Sequence, residues 1–111
     1  MPQTARTDVS ALEMVEFRSQ EGISADEMLD KASRLHGVLA DMDGFIERYL
    51  AQGDDGMWVD LVYWRDLASA RAAADAVMKI PAAQEFFALI DQESMRFVHL
   101  EIRSAFTQRL G

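Results

Sequence analysis

The sequence predicts an α+β domain with the element order β-α-β-β-α-β, and three observations predict it. Ser24-Ala25-Asp26-Glu27 is a capping box that opens a helix between two β-like runs. Gly53-Asp54-Asp55-Gly56 joins two further β-like runs as a hairpin, since glycine and aspartate tolerate the backbone angles of tight turns. The run WVDLVYWRDLASARAAADAVM, from Trp58 to Met78, passes straight from a strand into an alanine-rich helix. This is the ferredoxin-like split pattern, an antiparallel four-stranded sheet with both helices on one face.

The elements follow in order. Residues 1–10 are polar and aperiodic and read as a flexible arm. Residues 11–20 read as the first strand, with Leu12, Met14, Glu16 and Arg18 on one side and Val15 and Phe17 on the other. After the capping box, Met28, Ala32, Leu35 and Leu39 recur at helical spacing and form a buried stripe. Asp41-Met42-Asp43-Gly44 ends that helix. Residues 45–52 and 57–64 are the hairpin strands. Asp66 is the expected N-cap of the second helix, which turns Leu67, Ala70, Ala74, Val77 and Met78 inward. Pro81 lacks an amide hydrogen and starts a new helical segment, whose Phe86, Phe87, Leu89 and Ile90 cover one end of the core. Residues 95–103 are the last strand, and 105–111 a tail, which leaves 11–104 as a single domain.

Composition excludes several classes. The 111 residues suit one domain with one modest core. Eleven Lys and Arg are scattered among nineteen acids, a net charge of -8, so the basic footprint of a nucleic-acid binder is missing. An anionic membrane surface is disfavoured for the same reason. No apolar run spans a bilayer, which points to a cytoplasmic protein. There is no cysteine, and the two histidines, His36 and His99, have no metal-ligand spacing, so no metal site is expected. His36 falls beside the helical stripe and reads as structural. No glycine-rich phosphate loop or nucleophile elbow is present.

Alternation sorts the strand residues into two faces. Val15, Phe17, Ile46, Leu50, Val59, Leu61, Tyr63, Val98, Leu100 and Ile102 are expected to meet the helices, with Arg48 as an exception that a bulge or a short register shift would explain. The other face would carry Met14, Glu16, Arg18, Phe45, Glu47, Tyr49, Trp58, Asp60, Val62, Trp64, Phe97, His99 and Glu101. It holds too many aromatics for water and too many carboxylates for a dry core. A second copy packed sheet to sheet, enclosing a pocket, would satisfy it.

The strand-to-helix run VYWRDLASARAAADAVM, with Trp64 at the strand end, and the closing strand MRFVHLEIR resemble the antibiotic-biosynthesis-monooxygenase type of dimeric α+β barrel. The resemblance covers Glu13 to Arg103. It implies a homodimer and a pocket for a small aromatic or apolar compound. The implied activity is a cofactor-independent oxygenase; haem degraders and proteins of unknown role share the type. One departure matters. The best-understood members use an asparagine near a pocket tryptophan, and this chain has no asparagine. Asp60 or His99 can take over the hydrogen bonding, but neither is an equivalent group.

The candidate catalytic residues are His99, Asp60 and Glu101. An imidazole titrates near neutral pH and a flanking carboxylate orients it, although a histidine packed in an interface fits as well. Asp60 is out of place within a strand unless it pairs with His99 or Arg18, meets substrate, or forms a structural ion pair. Trp64, Trp58, Tyr49 and Phe97 are candidates for stacking on a flat ligand, or for interface packing. Glu16, Glu47 and Glu101 would crowd Asp60 and raise one carboxyl's pKa, with Glu16 and Arg18 as further substrate contacts; Glu47 also fits a solvated rim. No cofactor is expected: a base removes a phenolic or activated C–H proton, and the carbanion reacts with oxygen. The alternatives are a non-catalytic binder of an apolar or haem-like ligand, and an isomerase or dehydratase using the same groups.

Overall fold

The structure, a computed structural model, describes residues 3–5 and 7–108, and of residues 3–5 the backbone alone. Residues 1, 2, 6 and 109–111, parts of the expected arm and tail, lie outside the described residues. The elements are β1 (Gln3–Ala5), β2 (Ala11–Phe17), α1 (Ala25–Leu39), β3 (Phe45–Gln52), β4 (Trp58–Trp64), α2 (Leu67–Val77), α3 (Pro81–Phe87), a short 3-10 turn (Gln92–Ser94), β5 (Arg96–Glu101) and β6 (Phe106–Gln108). The main sheet has the order β3-β4-β2-β5, antiparallel throughout, which is the ferredoxin-like arrangement. Arm and tail pair with each other as a separate two-stranded sheet of β1 and β6.

Local signals set the helices. The Ser24 hydroxyl accepts from the Glu27 amide at 3.1 Å, and Met28, Ala32, Leu35 and Leu39 are buried as their spacing requires. Asp66 accepts from the Ser69 amide at 2.7 Å and caps α2. Alanines at 70 and 73 bring that helix close to the sheet, while Met78 turns outward and is 65% exposed. Pro81 is at the start of α3. Gly44 holds a φ of +86°, and a Cβ there would lie 2.5 Å from the Ser69 side chain, so the turn into β3 needs glycine.

The sheet corrects the expected faces. Trp58, Asp60, Val62 and Trp64 point toward the helices and are buried, and register carries Phe97 and His99 to the same side, opposite Val15 and Glu13. Val59, Leu61, Tyr63, Val98 and Leu100 lie on the uncovered face with Leu12, Met14 and Glu16. The physical reason is that both phases of WVDLVYW are apolar, so hydrophobicity does not choose between them. Asp60 was the deciding residue, and its charge is neutralised inside. The register of β3 shifts between Phe45 and Glu47, which turns Phe45, Arg48 and Leu50 to the helix side and Glu47 and Tyr49 outward. Arg48 is thereby aimed at Asp60. The aromatic core closes around Phe17, stacked on Trp58 at 6.5 Å and met edge-on by Phe86 at 5.8 Å.

Candidate functional site

Burying Asp60 requires a partner, and β3 supplies one. Arg48 Nε donates to Asp60 Oδ1 at 2.9 Å and Nη2 to Oδ2 at 2.7 Å, a bidentate pair. The third arm, Nη1, donates to the carbonyl of Ala32 on α1 at 2.8 Å, and the guanidinium stands 5.7 Å from the Phe86 ring. Both side chains are more than nine-tenths buried. The pair locks β3 and β4 to α1.

One strand away is a second pair. Glu13 Oε2 and His99 Nε2 lie 2.8 Å apart, on β2 and β5, with both side chains largely buried. The Phe97 ring meets the imidazole edge-on at 5.0 Å. Burial pushes the Glu13 carboxyl above its ordinary value, against the opposing pull of His99.

These pairs border a cavity of about 410 Å³ between the sheet and the helices. Its floor is Glu13, Val15, Asp60, Val62 and Phe97, and its roof includes Leu35, Leu39, Val77, Phe86 and Phe87. Met78, Asp75, Gln92 and Met95 complete the wall. The size and the apolar lining with few polar groups suit a small organic ligand. Another depression, of about 460 Å³, follows α2. It is a surface groove whose charges satisfy each other: Arg65 pairs with Asp43 at 3.0 Å and Asp66 at 3.3 Å. Arg65 holds the Asp43 carboxyl below its ordinary range, and hydrogen bonds from Ser69, with Arg65 second, do the same for Asp66.

The residues singled out from sequence fall in different places. Asp60 and Phe97 line the cavity, and His99 joins them through Glu13. Glu101 is exposed and pairs with Arg103 at 2.9 Å. Trp64 is fully buried against Phe45, its Nε1 without a partner among the described residues, and Trp58 is buried on Phe17; neither is in the cavity wall. Tyr49 is on the uncovered face, its hydroxyl donating to Glu47 at 2.8 Å. Glu16 shares that face, and Arg18 binds the hairpin at Asp55. The cavity between the sheet and the helices lies within one chain, and Glu13 and Asp60 reach it because their strand positions face the helices, whereas Glu16 and Glu47 face the other way. Sequence reasoning missed Glu13. Its signal was present: in ALEMVEF it shares a phase with Ala11, Val15 and Phe17, an acid where the pattern asks for an apolar residue. Among the described residues no cluster of His and carboxylates could hold a metal ion, and no helix is long and apolar enough to cross a membrane.

Solved structures share this architecture. A variant of SnoaB, a cofactor-independent oxygenase from Streptomyces nogalater, superposes with a TM-score of 0.73 at 18% identity, covering 86% of this chain and 95% of that one. The chain has the fold of the antibiotic-biosynthesis monooxygenases. The monooxygenase of the gene ActVA-Orf6 of Streptomyces coelicolor, bound to nanaomycin D, matches with a TM-score of 0.66 at 16% identity over 92% of this chain and 95% of that one. A dimeric ferredoxin-like protein from an uncultured marine organism matches with 0.71 at 10% identity over 94% and 97%. No family model matches the sequence, and no curated protein matches it significantly.

Proposed function

We propose that the chain is a cytoplasmic, cofactor-independent oxygenase that binds a small aromatic compound in the helix-side cavity, with Glu13 as the base and His99 as its partner. The observation that carries this is the Glu13–His99 pair, 2.8 Å apart, at the wall of an apolar cavity of about 410 Å³. Glu13 itself lines that cavity, so it touches the ligand while His99 orients it from behind. Burial raises its proton affinity, which suits a carboxylate to proton abstraction. In the proposed reaction Glu13 takes a proton from an activated CH₂ group. The carbanion transfers electrons to dioxygen and forms a C–O bond. The peroxide takes up the proton and loses water, which leaves a carbonyl; the substrate supplies every electron. An apolar cavity leaves that carbanion poorly solvated and hence more reducing. The monooxygenase fold of the structural neighbours supports this reading by analogy.

The same proposal includes a homodimer. Leu12, Met14, Val59, Leu61, Tyr63, Val98 and Leu100 make an apolar sheet face that no helix among the described residues covers, and a face of this kind suits a second copy.

The test is oxygen uptake with anthrone- and naphthol-type substrates. Glu13→Gln and His99→Ala are expected to lower turnover by about 100-fold or more, as for loss of a general base. Turnover retained in Glu13→Gln would remove Glu13 from the base role. Product formed under anaerobic conditions would replace the oxygenase with an isomerase or dehydratase on the same groups.

A further inference from the structure

The polar chemistry of the cavity wall is one-sided. Its ionisable residues are Glu13, Asp60 and Asp75, all carboxylates. The partners these groups already have stand behind them: Arg48 donates to both oxygens of Asp60, and His99 pairs with one oxygen of Glu13. The other Glu13 oxygen has no hydrogen-bond partner among the described residues. Gln92 is the amide in the wall, and its N–H groups go to the carbonyls of Phe87 at 3.0 Å and Ile90 at 3.4 Å. A ligand entering therefore meets acceptors and apolar surface. The exposed Asp75 adds a negative charge at the mouth.

A carboxylate in this place would give up water, gain no donor and lie against like charge, and each of those opposes binding. A hydroxyl or ammonium would donate to Glu13 while its ring packs on Phe86, Phe87 and Phe97. We infer that the cavity selects a neutral or cationic ring compound whose polar end donates hydrogen bonds, and rejects carboxylates. This rests on the reading of the cavity as the ligand site, and it adds the charge class of the ligand.

The experiment compares three probes of one shape, 2-naphthylmethylammonium, 2-naphthylmethanol and 2-naphthoate, by calorimetric titration of the full chain at fixed salt. The ammonium and the alcohol are expected to bind, with the carboxylate weaker by about tenfold or more, the scale of one lost hydrogen bond to a charged group. In Glu13→Gln the advantage of ammonium over alcohol is expected to shrink by about tenfold while the alcohol still binds. Asp75→Asn is expected to leave the ranking in place, since screening weakens a charge at the exposed mouth. Equal binding of all three probes would overturn the inference and leave the cavity as a ligand site. Failure of all three would overturn both. A preference abolished by Asp75→Asn and untouched by Glu13→Gln would move the selection from the wall to the mouth and overturn the role of Glu13.

Discussion

Asp60→Leu is the sharpest perturbation of this structure. It removes one partner of a buried ion pair and strands the other. Arg48 would keep its bond to Ala32 and its position over Phe86, and lose acceptors for Nε and Nη2 in surroundings where its side chain is 5% exposed. An unsatisfied buried donor costs about 1–3 kcal/mol, more when charged, so two give roughly 2–6 kcal/mol. That agrees with the roughly 3–5 kcal/mol expected when a buried pair is broken from one side. A domain of this size has about 5–15 kcal/mol in total, so the loss is a large share of its stability. At about 4–5 °C per kcal/mol the midpoint should fall by roughly 12–25 °C. Arg48→Met combined with Asp60→Leu should recover most of this, because an apolar replacement of both partners leaves no stranded charge. The assay is urea unfolding followed by tryptophan fluorescence and circular dichroism at one protein concentration, with the slope m compared across variants. If Asp60→Leu unfolds within about 1 kcal/mol of the parent, or the double variant is no more stable than it, then the reasoning fails and the pair is solvated.

Three further predictions follow from the same geometry. Burial raises the Glu13 carboxyl above its ordinary 4.5, so the folded state holds that proton more tightly than the unfolded one. The stability it contributes is present below pH 4.5 and is lost as pH rises through the higher folded value; Glu13→Gln should therefore raise the melting temperature relative to the parent more at pH 7 than at pH 4, and an identical difference at both would refute the shift. Gly44→Ala forces a side chain at φ +86° into Ser69, and should cost about 1–3 kcal/mol in chemical denaturation, whereas Gly37→Ala, in open space on a helix, should be neutral or slightly stabilising. Leu61→Asp places a charge on the uncovered sheet face and should halve the mass in sedimentation equilibrium with the far-UV spectrum kept; a parent already monomeric at micromolar concentration would sink the dimer.

Much of this fold is legible in the chain because its signals are local. The Ser24 cap, the stripe from Met28 to Leu39, the Gly53–Gly56 turn and the Pro81 break each lie within a few residues of the element they set. The phase of β4 is not local. Val59, Leu61 and Tyr63 are as apolar as Trp58, Val62 and Trp64, so only Asp60 distinguishes the two sides, and it points the wrong way unless Arg48 is known to be inside. Arg48 is inside only because β3 slips register at Phe45–Glu47, a property of strand pairing rather than of any short stretch. The same dependence hid the site. Phe97 and His99 follow the phase of β2 through their pairing with Val15 and Glu13, so assigning β5 by its own alternation reversed it. Asp60, Phe97 and His99 stand out in the sequence as unusual residues; Glu13 shows only as an acid on the apolar phase of β2, a signal that counts once that phase is known to face the helices.

The seven residues of β4 leave the molecule with little freedom to drift. Even-numbered positions form the core and the cavity floor, and odd-numbered ones form the uncovered face. With the proposed second copy seated on the odd-numbered face, a saturation scan should show β4 as a continuous band of intolerance, with no alternating permissive positions of the kind that a half-solvated strand shows. Descendants of this chain that take up new ligands would have to find them elsewhere, by changing Met78, Phe87, Gln92 and Met95 on the opposite wall. Those four belong to the end of α2, α3 and the turn before β5, where a substitution is not felt on both sides of the sheet.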